Sequence, residues 1–134
     1  MTEQLTKIQS WLNDNELDVA YFSDFHSIAY LTGFESDPIE RVLALIVFPQ
    51  AEPFIFAPAL EVEAVKGAGW THPVYGYQDH EQPYQMIANY IKQHTTHATK
   101  WAVEKAQMTL DRAALLETAV PEAKFVADLS PLMT

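Results

Sequence analysis

The apolar positions of this chain switch between a helical and an extended period from one segment to the next. Leu5, Ile8 and Leu12 fall at i, i+3 and i+7, one face of an opening helix that Asn13, Asp14 and Asn15 stop. Val19 to Phe22 reads as a strand. Ser23 or Asp24 can cap a short helix that carries Ile28 and Leu31 inward and ends at Gly33. Val42 to Phe48 is apolar without alternation, the pattern of a central strand covered on both faces. Pro49 to Pro53 is a turn, and Phe54 to Ala57 returns, so the pair is expected to be an antiparallel hairpin.

The same alternation continues. Pro58 is expected to open a helix with Leu60, Ala64 and Val65 inward and Glu61, Glu63 and Lys66 outward, ended by Gly67 and Gly69. Val74 to Tyr77 is a short strand, after which Asp79 is expected to cap a helix bearing the stripe Tyr84, Ile87, Ala88 and Ile91. Trp101 to Val103 is a strand, Thr109 caps a helix to about Ala119, and Phe125 to Ala127 is the last strand. Ser130-Pro131 opens a further helix just where the sequence stops, which points to a piece of a longer chain. The order predicts an α/β fold: one three-layer domain over residues 1–134, a mixed β-sheet with one internal hairpin and helices on both faces.

Composition narrows the function. Of 134 residues 49% are apolar, enough for the core of one domain. The net charge is −10, and the eight Lys and Arg are scattered from Lys7 to Lys124, which argues against a nucleic-acid or anionic-membrane partner. No cysteine is present, so disulfides, thiol nucleophiles and Cys-ligated zinc are excluded, in keeping with a reducing compartment. Met1 to Trp11 lacks the apolar core of a secretion signal, and the longest apolar run, Val42 to Phe48, is far short of the ~20 residues of a membrane span. A cytoplasmic domain is expected.

Most catalytic signatures are missing. None of the five serines sits in a Gly-x-Ser-x-Gly elbow, and no Gly-x-Gly-x-x-Gly, phosphate loop or His-Glu-x-x-His occurs. His94 and His97 could share a helix face as metal ligands, but the end of a helix favours such residues without any metal. Asp79-His80-Glu81 reads as a cap and first turn, with Gln82 at the capping-box position, and His72 before Pro73 as surface. Trp11, Trp70, Trp101 and the six tyrosines read as packing rather than a ligand pocket. His26, in the short second helix, is a site candidate. The loop Glu35 to Arg41 is distinctive: it holds three acids and one of only two arginines, stiffened by Pro38. Two readings of it stay open, a solvated connection with a local Asp37–Arg41 or Glu40–Arg41 pair, and a rigid loop that displays binding groups.

Tyr30-Leu31-Thr32-Gly33-Phe34, after a strand and a short helix, resembles the hallmark of the N-terminal domain of the creatinase, aminopeptidase P and prolidase family. The likeness spans the chain, through the hairpin, Glu61-Val62-Glu63, Trp101-Ala102-Val103-Glu104 and Val126 to Ser130. Ser36 to Val42, with Tyr77 to Glu81, most resembles bacterial Xaa-Pro dipeptidases.

That resemblance implies a two-domain, homodimeric enzyme that hydrolyses dipeptides ending in proline. Its C-terminal pita-bread domain would hold two divalent metals, Mn²⁺ or Co²⁺, on two Asp, one His and two Glu. None of those motifs is in this chain, so the fragment is expected to bind no metal and to hydrolyse nothing. The domain's implied role is dimer assembly and substrate selection, with the loop after the hallmark reaching the partner protomer's active site. Asp37 and Glu40 would engage the substrate's α-amino group, Arg41 a carboxylate or a loop-orienting acid, and His26 would stand close by. The alternatives are an aminopeptidase P or creatinase domain, a catalytically dead protein-binding module of the same fold, and an unrelated α/β binding domain.

Overall fold

The computed structural model describes residues 2–133. Its strands are β1 (Val19–Phe22), β2 (Ala44–Val47), β3 (Phe54–Pro58), β4 (Val74–Tyr77), β5 (Lys100–Val103) and β6 (Lys124–Asp128). Its helices are α1 (Glu3–Asp14), α2 (Phe25–Thr32), α3 (Val62–Gly67), α4 (Pro83–His94) and α5 (Leu110–Ala119). The six strands form one sheet in the order β4-β3-β2-β1-β5-β6. The hairpin forms as expected, with Leu45 opposite Ile55 in antiparallel register. β2 is also antiparallel to β1, whereas β1–β5, β5–β6 and β3–β4 pair in parallel. So β2 alone runs against the other five strands.

The unbroken apolar runs have the expected cause. Ala20, Phe22, Leu45, Val47, Ile55 and Ala57 face one way, against Leu5, Ile8 and Leu12 of α1, Ile28 and Leu31 of α2, and Val65 of α3. Their neighbours Val19, Tyr21, Ala44, Ile46, Phe54 and Phe56 face the other way, against Ile87, Ala88 and Ile91 of α4 and Leu116 of α5. The three-layer α/β prediction holds. Each fully buried Val, Leu, Ile or Phe among them contributes roughly 1.5–3 kcal/mol.

Three local expectations change. Pro58 does not open a helix; it closes β3, paired with Tyr77. A 3-10 turn over Ala59–Glu61 follows, and α3 begins only at Val62. With this later start Leu60, 83% exposed, and Ala64 face outward, and of the three expected inward only Val65 is buried. Asp79 does not cap α4. Pro83 occupies the first turn behind Gln82, which is the N-cap residue and makes no side-chain cap bond. Proline's fixed φ and missing N–H start the helix without a capping acceptor. Asp24, rather than Ser23, caps α2, and Gly33 ends it at φ 82°. The start foreseen at Ser130 is a 3-10 helix, Ser130–Met133.

Gly76 is fixed by close approach. A β-carbon there would lie 2.8 Å from Val62 Cγ2 and 3.0 Å from the Ala59 Cα, because the 59–62 segment crosses directly over β4. Gly76→Ala is expected to cost about 1–3 kcal/mol in denaturant unfolding, as over-packing does. An unchanged unfolding midpoint would show that the crossing segment gives way freely.

Candidate functional site

Because only β2 is reversed, the loops after β1, β3, β4, β5 and β6 and the loop before β2 all lie at one edge of the sheet. Loops at the carboxyl ends of strands are where α/β domains usually bind ligands. The Glu35–Arg41 loop therefore lies at the same end as Ser23 and Asp24 after β1, Asp79 after β4 and Glu104 after β5, and it is bonded to Asp79.

The loop folds on itself at its tip. Asp37 Oδ1 accepts the Ile39 N–H at 2.9 Å, and the Arg41 N–H donates to the Pro38 carbonyl at 3.0 Å. Ile39 is left-handed at φ 58°, rare for a β-branched residue, and its side chain is exposed. The base of the loop is tied three times. The Val42 N–H donates to the Tyr77 hydroxyl at 2.6 Å. Arg41 Nη2 donates to Asp79 Oδ2 at 3.0 Å, and Arg112 Nη2 donates to the Glu40 carbonyl at 2.8 Å. Tyr77 is held in place by a flat stack on Phe56, 5.0 Å between ring centres. Burial pushes its phenol above the usual range.

This settles the pairing of Arg41. It bridges to Asp79 from a distant part of the chain, and neither local pair, with Asp37 or with Glu40, forms. Among the described residues, Asp37 and Glu40 take part in no ion pair. Sequence alone places Arg41 beside its neighbours; only the sheet order brings the turn after β4 within reach.

Beneath the tip lies a cavity of about 280 Å³, lined among others by Tyr21, Ser23, Pro38, Ile39, Tyr84 and Arg112. Burial, and then the neighbouring Tyr84, push the Tyr21 phenol far upward, so it stays protonated. His26 lies on the other side of the loop. Its side chain is 79% exposed, 3.6 Å from Asp24, and its ring rests on Phe25. It shares a shallow cleft with Glu35, Ser36 and Asp37. The structure thus gathers His26 with Asp37, and Glu40 with Arg41, at the two flanks of one loop.

Glu104 is the residue that sequence reasoning passed over. It follows β5 directly and is only 2% exposed. Its Oε1 accepts the N–H groups of Ser23 and Asp24 at 2.8 and 2.9 Å, and its Oε2 accepts the Ser27 hydroxyl at 2.6 Å. Burial raises its carboxyl above the ordinary range, against the pull of those three donors, and Asp24 adds to the rise. One carboxylate thereby fixes the β1–α2 turn on which the hallmark helix rests. The available signal was an acid continuing the buried run Trp101-Ala102-Val103.

Of the remaining histidines, His94 and His72 pack, whereas His80 and His97 are exposed. His94 Nδ1 lies 2.7 Å from the Glu52 carbonyl and Nε2 lies 3.0 Å from the Tyr75 hydroxyl, with the ring against Phe54. His72 is not the surface residue expected: its side chain is 16% exposed, 2.6 Å from Glu52 Oε2 and edge-on to Trp70. The turn at Trp70, whose Nε1–H donates to the Pro73 carbonyl, folds it inward. Among the described residues no three His, Asp or Glu side chains converge as metal ligands. Trp101 is fully buried and Trp70 nearly so, as packing residues. This edge places the carboxylates of Asp37 and Glu40 near an Arg41 guanidinium that is held by Asp79.

Comparison with known proteins bears on that reading. Residues 4–133 match the model of the family described as Creatinase/Prolidase N-terminal domain. The chain is 42% identical over 126 residues to an Xaa-Pro dipeptidase of Lactobacillus helveticus, covering 94% of this chain and 34% of that protein. It is 44% identical to an Xaa-Pro dipeptidase of Lactobacillus delbrueckii subsp. lactis, with the same shares covered. It therefore spans about a third of the length of these relatives. Among solved structures, the N-terminal domain of Xaa-Pro dipeptidase from Lactobacillus brevis superposes with a TM-score of 0.91 at 46% identity, covering 97% of each chain. The Creatinase/Prolidase N-terminal domain of an X-Pro dipeptidase from Streptococcus pyogenes gives 0.90 at 33% identity, covering 99% of this chain and 98% of that one. No described helix is long and apolar enough to cross a membrane.

Proposed function

We propose, from the premise that this chain belongs to the creatinase/prolidase N-terminal domain family, that it is the non-catalytic, substrate-selecting domain of a cytoplasmic Xaa-Pro dipeptidase. The observation that carries the reading is the loop at the sheet edge. Its base is tied by Tyr77, Asp79 and Arg112, while among the described residues the carboxylates of Asp37 and Glu40 form no ion pair. Such a loop presents negative charge at a fixed height.

In the homodimer we envisage, this loop reaches the partner protomer's active site. Asp37 and Glu40 attract the α-amino group of a short substrate, Arg41 orients the loop through Asp79, and His26 flanks the entry. A peptide extended ahead of the Xaa residue has no free amine at that position and leaves these carboxylates unpaired, which discriminates against it. One extended beyond proline keeps the amine, so its rejection falls to recognition of the proline carboxylate, the other role open to Arg41. Two divalent metals, Mn²⁺ or Co²⁺, would belong to a catalytic domain beyond this chain, where they supply an activated water.

The test compares two proteins with Leu-Pro and Mn²⁺. The 134-residue chain is expected to release no proline, and the natural gene product that carries it is expected to do so. Turnover by the short chain would overturn the non-catalytic assignment. A gene product that cleaves only longer peptides would move the assignment to an aminopeptidase.

A further inference from the structure

Arg112 stands in an unusual position. Its own N–H is engaged by the helix cap, donating to Thr109 Oγ1 at 3.1 Å, so its backbone is fixed at the start of α5. Its guanidinium lines the 280 Å³ cavity under the loop and ends on the Glu40 carbonyl at 2.8 Å. Among the described residues it forms no ion pair with any acid.

The cavity explains why a tie is needed there. A loop laid over packed side chains is positioned by van der Waals contact. Pro38 and Ile39 instead border a cavity of about 280 Å³, so close packing does not by itself set the height of the tip. A charge-assisted hydrogen bond to the main chain can set it, and it does so whatever side chain residue 40 carries. It also leaves the Glu40 carboxylate uncommitted. The next residue, Arg41, is anchored in a different direction, to Asp79. Two successive residues held to two separate elements make a pivot, ahead of which Asp37 stands.

We propose that Arg112 is a positioning residue: by pinning the Glu40 carbonyl it sets where the Asp37 and Glu40 carboxylates stand for the substrate's amino group. Its bearing on catalysis rests on the substrate-selecting reading of the loop; the tie itself does not.

The experiment has a part for each. In the 134-residue chain, amide hydrogen exchange is measured for wild type, Arg112→Ala and Arg112→Lys. The amides of Ile39, Arg41 and Val42 are expected to exchange roughly tenfold faster in Arg112→Ala, the effect of one charge-assisted bond, with Leu116 to Val120 unchanged. Arg112→Lys, which keeps a cationic donor without the planar fork, is expected to fall between the two. In the full-length enzyme, Arg112→Ala is expected to raise the KM for Leu-Pro severalfold with kcat nearly unchanged, and Arg112→Lys to recover part of the loss. Loop amides that exchange as in wild type would overturn the tie. Looser loop amides with an unchanged KM would keep the tie and overturn the substrate-selecting reading instead.

Discussion

Glu104→Ala is expected to destabilise the domain by about 3 kcal/mol, the largest effect of any substitution at the sheet edge. The side chain accepts from two backbone N–H groups and one hydroxyl; alanine leaves both N–H groups without that acceptor and Ser27 with only its long contact to Asp24 Oδ2. Glu104→Gln should cost much less, because an amide oxygen can take both N–H bonds and the amide nitrogen can donate to Ser27, whose hydroxyl turns toward Asp24 Oδ2, 3.5 Å away. Denaturant unfolding of the two variants at neutral pH measures the difference.

The pH dependence follows from the same burial. The folded carboxyl of Glu104 is raised above its ordinary value, so the native state holds this proton to a higher pH than the unfolded chain does. The stabilisation from the protonated form is complete below the ordinary glutamate range and is lost as pH rises through the raised value. Glutamine carries no such proton. The stability of wild type relative to Glu104→Gln is therefore expected to fall as pH rises across that window. A constant difference between the two proteins would show that burial and the three donors cancel.

Arg41→Ala is expected to raise the KM of the full-length enzyme for Leu-Pro about tenfold while changing kcat less than about threefold. The Arg41–Asp79 pair is largely exposed, with side chains 45% and 71% accessible. Such a pair contributes only about 0–1 kcal/mol to folding, so the thermal midpoint should hardly move. Its value lies in fixing the loop. Asp79→Ala is therefore expected to reproduce the effect, and the double substitution to add little to either single one. A KM effect confined to Arg41→Ala would mean that the guanidinium touches substrate directly. Unchanged kinetics in both variants would reduce the loop to a solvated connection.

The sequence was informative where a residue's role depends on its immediate neighbours. Helix periodicity located α1 and α4, and the Thr109 cap and the Gly33 stop located α5 and α2, because these need only three or four residues of local chain. The run Val19 to Phe22 revealed a strand, and Val42 to Phe48 one covered on both faces, because burial of both faces removes the alternation. Its charges and Pro38 singled out Glu35 to Arg41, and the resemblance then gave it an expected role. Local rules misread Pro58 and Asp79, since proline serves equally at a strand end and a helix start, and an aspartate before a helix is an available cap whether or not it is used.

What the chain determined by itself is thus the set of elements, the three-layer class and the identity of the charged loop, all consequences of short-range pattern and side-chain chemistry. What only the tertiary structure decided is which groups meet. Reversal of β2 alone puts the loop beside the ends of β1, β4 and β5. Arg41 then finds Asp79, Arg112 finds the Glu40 carbonyl, and Glu104 closes on the turn after β1. Those contacts join residues dozens of positions apart, and their strength depends on distance and burial in the folded sheet, neither of which is written in the local order of amino acids.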